Sequence, residues 1–299
     1  MRDNGYSPRI SVLIPTYKEK DSISSTLETV SRELQATGNL SYEIIVLDDH
    51  SCDGTVEEAL RYAEKCDGKI RVAEFSTRMG KGGSLRNGLR LARGQIVVFL
   101  DADLPVEVGR IAEMVRLVER GYGLVVAKRV YLEGGSYGLS RRVLSLGFNG
   151  LVRAFFRTGV SDHQVGFKAI RIDIANRLID QVRTDGFFFD AELIVQVKRM
   201  GVHIKVLDVL WRDKRMPGDS RIPPMRALIT MLADLVALRV SFVNGKRLIK
   251  LREDYAGVLR ELTNGVTVKA TRLYFSTRNR RFLRLLSKIY FLVLFGRTD

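Results

Sequence analysis

The chain has 299 residues, 45% of them hydrophobic, enough to bury a full core in one large domain or in one domain plus an appendage. Its 49 Lys and Arg against 34 Asp and Glu give a net charge of +15, which suits anionic partners such as phosphorylated substrates, lipid headgroups or nucleic acid without choosing among them. Cys52 and Cys66 lie 14 apart without a set of His or Cys at metal spacing, which argues against a structural zinc site and predicts two reduced thiols in a cytosolic setting.

Residues 1–9 are polar and carry no apolar stretch of the kind a secretion signal needs. Short apolar runs at residues 10–14, 43–47, 70–75, 96–100 and 124–127 predict strands, several of them apolar on both faces, as in a buried, mainly parallel sheet. Between them, residues 21–36, 55–65, 84–92 and 106–119 carry apolar side chains at helical spacing. Repeated strand–helix units predict an α/β fold with helices flanking the sheet, whose ligands collect at the carboxyl ends of the strands. Further on, the pattern predicts a helix over 141–156, a turn and strand over 166–171, helices over 174–181 and 190–200, and a strand over 203–210. Met216-Pro217-Gly218-Asp219 and Pro223-Pro224 mark a boundary, which divides the chain into a main domain, 1–221, and a tail, 222–299.

The tail holds 15 basic and 5 acidic side chains, so it carries most of the excess charge. Its apolar stretches around 227–243 and 289–295 fall short of the roughly 20 apolar residues of a spanning helix, and no transmembrane segment is predicted. Over residues 278–295, Phe282, Leu285, Leu286, Ile289, Leu292 and Val293 share one helical face and Arg281, Arg284 and Lys288 another. That pattern predicts a helix lying in the headgroup region; packing on the core or on a partner chain is the alternative.

Asp101-Ala102-Asp103 follows the strand at 96–100, and two carboxylates one residue apart at a strand end form either a platform for Mg2+ or Mn2+ or a solvated acidic turn. Asp48-Asp49 ends the strand at 43–47. There Asp49 is placed to accept hydrogen bonds from a base or ribose, while Asp53-Gly54-Thr55 reads as a turn and helix cap. The run from Arg78 through Gly80-Lys81-Gly82-Gly83 to Ser84 opens a helix, where free amides and the positive dipole end favour phosphate. It lacks P-loop spacing, which excludes a kinase or ATPase of that type.

Taken in order, these segments resemble family 2 glycosyltransferases, and within them the polyprenyl- and dolichyl-phosphate sugar synthases. The resemblance runs from about residue 10 to 239 and is carried by Ser11-Val12-Leu13-Ile14-Pro15-Thr16-Tyr17-Lys18-Glu19, the run 48–55, Gly80-Lys81-Gly82-Gly83 and Phe99-Leu100-Asp101-Ala102-Asp103-Leu104. Downstream it continues through Ala127-Lys128-Arg129, Asp162-His163-Gln164-Val165-Gly166-Phe167-Lys168, Phe189-Asp190-Ala191-Glu192-Leu193 and Trp211-Arg212-Asp213-Lys214. It implies a GT-A fold, a Rossmann-like, mainly parallel sheet flanked by helices. For the donor, a nucleotide sugar, it implies contacts from Pro15, Thr16, Tyr17, Glu19, Leu47, Asp49, Lys81, Asp101, Ala102 and Asp103, with Asp101 and Asp103 holding the metal. Two positions depart from the family: Lys18 stands where Asn is common, and Pro105 where mannose synthases place a metal-binding Gln, which weakens the case for mannosyl transfer.

The expected reaction is inverting transfer of a hexose from UDP-glucose or GDP-mannose to a polyprenyl or dolichyl phosphate, by an enzyme peripheral to the cytoplasmic face of a membrane. An ionised phosphate needs cations rather than a base. Arg129, Arg141, Arg142, Lys168, Lys214 and Arg221 lie on the acceptor side by resemblance, with Arg129 and one of Arg141 or Arg142 favoured. Asp190 and Glu192 are candidate bases or sugar-hydroxyl partners, and Glu192 joins Asp101, Asp103 and Arg129 as a catalytic candidate. Asp162 is expected to order the Gly166-Phe167 turn, and His163 and His203 to be structural. The alternatives are a family member acting on a saccharide hydroxyl, a nucleotidyltransferase, and a nucleic-acid-binding protein. The second lacks a Gly-rich first turn, and the third leaves the acidic pairs unexplained, so no nucleic-acid partner is expected.

Overall fold

The computed structural model describes residues 8–38, 40–131, 139–211 and 224–242. The chain divides into two compact units, Met1–Asp219 and Ser220–Asp299. The first is built on seven strands: β1 (Ile10–Thr16), β2 (Tyr42–Asp48), β3 (Ile70–Glu74), β4 (Ile96–Phe99), β5 (Leu124–Tyr131), β6 (Lys168–Arg171) and β7 (Ile204–Trp211). They hydrogen-bond in the order β3-β2-β1-β4-β6-β5-β7, all parallel except β6, which runs against both neighbours.

Side-chain alternation sorts the core into two layers. Val12 and Ile14 of β1 join α1 (Ile23–Ala36), α2 (Thr55–Ala63) and α4 (Ile111–Glu119) on one face. Leu13, between them, joins α3 (Gly80–Leu91), α6 (Ile172–Leu178) and α7 (Phe189–Arg199) on the other. Each fully buried aliphatic side chain stabilises this three-layer arrangement by about 1.5–3 kcal/mol. Among the described residues the remaining α-helix of the first unit is α5 (Leu139–Phe156), and that of the second is α8 (Pro224–Ser241). Among the described residues no helix is long and apolar enough to cross a membrane.

The strands and helices fall where the periodicity predicts, with one difference that matters for the site. The spacing starts a helix at residue 84, yet α3 begins at Gly80, so the glycine run lies inside the helix. Glycine costs a helix interior roughly 1 kcal/mol relative to alanine. Here close packing requires it, because a Cβ on Gly82 would collide with the Thr184 carbonyl and with Phe189.

The single antiparallel strand positions the site. Lys168 opens β6 opposite Phe99, the last residue of β4, so the start of one strand lies beside the carboxyl end of the other. The sequence pattern places ligands at those carboxyl ends, and β6 delivers a basic residue there.

Candidate functional site

Asp101 and Asp103 leave the end of β4 in a turn fixed from two sides. The Ala102 carbonyl accepts a 2.6 Å hydrogen bond from Thr26 Oγ1 of α1, and Leu104 N donates to the Asp101 carbonyl at 3.2 Å. Leu104 has φ 41°, a left-handed conformation that a branched side chain adopts at a cost of about 1–2 kcal/mol. Ala102, expected among the donor contacts, buries its methyl in the core.

From Asp101 a line of alternating charge runs into the protein. Lys81 Nζ lies 2.7 Å from Asp101 Oδ1 and 2.9 Å from Asp190 Oδ2. The other oxygen of Asp190 takes Lys168 Nζ at 2.6 Å, and Lys168 also donates to the Val165 carbonyl. Asp190 is 3% exposed and Lys168 not at all. Burial opposes the charge on Lys81, but Asp101 and Asp190 outweigh it and hold its ammonium protonated more firmly than usual. For Lys168 burial wins over the pull of Asp190, with Lys81 adding repulsion, and its pKa falls. Lys168 therefore does not serve as an acceptor-phosphate ligand: its side chain is sealed in the core.

Glu192 sits two residues from Asp190 on α7 and does different work. Its Oε2 accepts the backbone N–H groups of Arg183 at 3.1 Å and Thr184 at 2.9 Å, which ties the 182–186 loop to the helix. Where the sequence suggests a catalytic candidate, the carboxylate, 4% exposed, is engaged as a loop anchor. The same loop corrects the phosphate cradle expected at the start of α3. Gly82 N and Gly83 N both donate to the Asp185 carbonyl, at 2.7 and 3.3 Å, and Arg86 pairs with Asp185. Those amides are spent inside the protein.

The residues expected at the nucleoside also make contacts within the protein. Asp49 Oδ1 accepts Met79 N at 2.5 Å and Gly80 N at 3.1 Å, so this carboxylate, expected on base or ribose, caps α3. Thr16 Oγ1 donates to Asp48 at 3.0 Å and is buried, and Leu47 is wholly enclosed, where a Cβ on Gly88 would strike it. The Tyr17 ring carries the Arg78 guanidinium 3.7 Å from its centroid, an aromatic and cationic surface beside Asp49. Glu19 accepts from Ser22 Oγ at 2.7 Å, and its N–H donates to Thr55 Oγ1. Asp53 and Thr55 form the expected turn and cap, with Thr55 N donating to Asp53 at 3.0 Å and Gly54 at φ 97°.

On the acceptor side, Arg129 of β5 is clamped. Asp162 accepts its Nε at 2.7 Å and its Nη2 at 2.8 Å, Ser145 of α5 accepts Nη2 at 3.0 Å, and the Trp211 ring stands 5.1 Å away. Asp162 thus holds Arg129 instead of ordering the Gly166-Phe167 turn. Gly166 has its own reason, since a Cβ there would run into the Asp101 carboxylate. His163 is buried between Asn149 Oδ1, at 2.9 Å from Nδ1, and the Thr158 hydroxyl, at 2.8 Å from Nε2. Burial pushes its pKa down to about 4, which fits the structural role expected of it. Lys214 and Arg221 lie outside the described residues, as do the side chains of Arg141 and Arg142, whose backbone belongs to α5, and the helix expected over 278–295.

A mainly parallel sheet whose central strand leads into a carboxylate pair agrees with the GT-A glycosyltransferase fold that the sequence resemblance implies. Glucosyl-3-phosphoglycerate synthase from Mycobacterium tuberculosis, solved with Mn2+, UDP and glucosyl-3-phosphoglycerate, shares the fold with a TM-score of 0.59 at 23% identity, over 78% of this chain and 80% of that one. The profile of Glycosyl transferase family 2 matches residues 11–179, and the chain belongs to that family. It is 33% identical to glycosyltransferase AglD of Haloferax volcanii over 74% of its length, a match spanning 35% of AglD. It is 30% identical to the dolichyl-phosphate beta-glucosyltransferase of Drosophila melanogaster, over 80% of this chain and 77% of that protein. The chain is therefore a glycosyltransferase.

Proposed function

We propose that the enzyme moves a hexose, with inversion, from a nucleotide sugar to a polyprenyl or dolichyl phosphate. The observation that carries the donor half is the Asp101/Asp103 pair at the end of β4, backed by Lys81. Similarity to dolichyl-phosphate beta-glucosyltransferases supports the acceptor half and favours glucose. Residues 1–221 act as the catalytic domain. Residues 222–299 act as a basic tail that holds the enzyme peripherally at the cytoplasmic face of the membrane.

Two carboxylates flanking one residue supply hard oxygen donors that fit Mg2+ or Mn2+, and Gly166 leaves room against one of them. Among the described residues no further His, Cys, Asp or Glu completes a metal cluster, so diphosphate oxygens and water would fill the remaining positions. A divalent cation held there supplies Lewis-acid stabilisation of the departing diphosphate. The protein's own share is positional. Lys81 places a positive charge beside Asp101, Arg78 on Tyr17 offers a face to the nucleoside, and Arg129, held by Asp162 and Ser145 and 9% exposed, is the cation assigned to the acceptor phosphate.

A phosphate acceptor arrives ionised, so no side chain has to remove a proton. That agrees with Glu192 being tied to two amides and Asp190 to two lysines. The test is to offer UDP-glucose and GDP-mannose separately, with Mn2+, to a short polyprenyl phosphate in detergent. A lipid-linked hexose formed from one donor is expected. Donor hydrolysis without a lipid product would redirect the assignment to a saccharide hydroxyl.

A further inference from the structure

We propose that Lys81 is a built-in counter-ion of the metal-binding carboxylate Asp101, which makes binding of the divalent cation and of the nucleotide diphosphate depend on each other. The inference rests on the metal and donor reading above and goes beyond it by assigning the order-setting role to one lysine.

The argument begins with charge. Asp101, Lys81, Asp190 and Lys168 are linked end to end at 2.7, 2.9 and 2.6 Å, two carboxylates alternating with two ammonium groups, so the line is neutral as a whole. Its inner end is fixed. Lys168 is fully buried and also donates to the Val165 carbonyl, and Asp190 is 3% exposed between its two partners. The outer end is accessible, with the Lys81 side chain 15% exposed and that of Asp101 28%.

A divalent cation approaching Asp101 therefore meets a carboxylate whose charge is already shared with an ammonium group a hydrogen-bond length away. Like charges at such separations repel strongly near a protein surface. The attraction of Asp101 for the cation is correspondingly weakened. A diphosphate changes the balance by bringing negative charge to both cations, because lysine is a point-charge phosphate binder and the metal takes phosphate oxygens. Lys81 turns from a competitor of the metal into a partner of the diphosphate. Linkage then requires nucleotide to tighten metal binding by the same factor as metal tightens nucleotide binding.

A purely structural lysine, bridging α3 and α7 through Asp101 and Asp190, would make the opposite prediction: its loss would lower stability and leave metal affinity unchanged. The discriminating experiment is a Mn2+ titration followed by electron paramagnetic resonance, on the full chain, with Mn2+ alone and with saturating UDP or GDP. For the wild type, one nucleotide is expected to tighten Mn2+ binding by about tenfold or more. Lys81→Gln is expected to bind Mn2+ alone about fivefold or more tighter than wild type and to lose most of the nucleotide effect. Lys81→Arg, which keeps the charge, should retain the effect.

Unchanged affinity of Lys81→Gln for Mn2+ alone, with the nucleotide effect intact, overturns the counter-ion role and leaves the metal reading standing. Absence of Mn2+ uptake by the wild type with both nucleotides overturns the metal reading as well. Should Lys81→Gln fail to fold, Lys81→Met, which keeps the apolar stem without the charge, is read by the same two outcomes, and equal Mn2+ affinity of the wild type with and without nucleotide contradicts the proposal.

Discussion

The two ends of α7's first turn, Asp190 and Glu192, are both buried carboxylates, yet one is paired with side-chain cations and the other with backbone amides. The same division runs through the whole site. Asp49 spends its oxygens on the amides that open α3, as Glu192 does on the 183–184 loop, and such bonds fix the path of the chain. Asp101 and Asp162 meet Lys81 and Arg129, ion pairs that can exchange a partner for a charged substrate, while Asp190 with the sealed Lys168 anchors the inner end of the line. In this site Glu192, bound to two amides, fixes the path of the chain, and Asp101, facing the accessible Lys81, is placed to meet a charged substrate.

Four variants sharpen or break that division. The largest expected effect is for Asp103→Ala, which should lower turnover on the order of a thousandfold and remove metal-dependent donor binding, read by steady-state kinetics and nucleotide titration. Retained activity would place Asp103 among the scaffold residues. Next comes Arg129→Ala, expected to raise the apparent KM for polyprenyl phosphate by roughly 10- to 100-fold and that for the donor little. An equal rise in both would make the Arg129–Asp162 pair structural.

A smaller effect is expected from pH. His163 has its pKa lowered by burial to about 4 from an ordinary 6.5, so the unfolded chain binds the extra proton first as pH falls. Stability is therefore full above pH 6.5 and declines as pH drops toward 4, by about 2 kcal/mol between pH 7 and pH 5 from this residue. Chemical denaturation at the two pH values measures the loss, and His163→Gln should remove that share of it. The smallest effect is for Asp49→Ala, which should cost about 1 kcal/mol of stability, as loss of a helix cap does, with turnover reduced far less than in Asp103→Ala.

Much of this architecture was legible in the residue pattern, and the reasons for the exceptions are physical. Period-two and period-3.6 spacing marked the strands and helices because each buries one face, and the carboxylates at 48–49 and 101–103 stood out as charges at strand ends. The glycines at 82 and 83 misled, since a packed helix start and a phosphate cradle both call for a missing Cβ, and only the position of Thr184 and Asp185 separates them. The pairs Lys168–Asp190 and Arg129–Asp162 join residues far apart in sequence, which local spacing does not reveal. One signal was available: Lys168 stands inside the apolar run Phe167-Lys168-Ala169-Ile170, and a charge in a buried strand requires a partner.

The most direct test compares Asp190→Asn with Glu192→Gln, two isosteric changes two residues apart on one helix turn, by turnover with a polyprenyl phosphate acceptor and by unfolding free energy. The account predicts that Asp190→Asn lowers turnover by about 100-fold or more, because Lys81 loses its inner anchor, while Glu192→Gln keeps turnover within about threefold and loses about 1 kcal/mol of stability. A thousandfold loss of turnover in Glu192→Gln, with Asp190→Asn nearly fully active, would contradict it and restore Glu192 as the catalytic base.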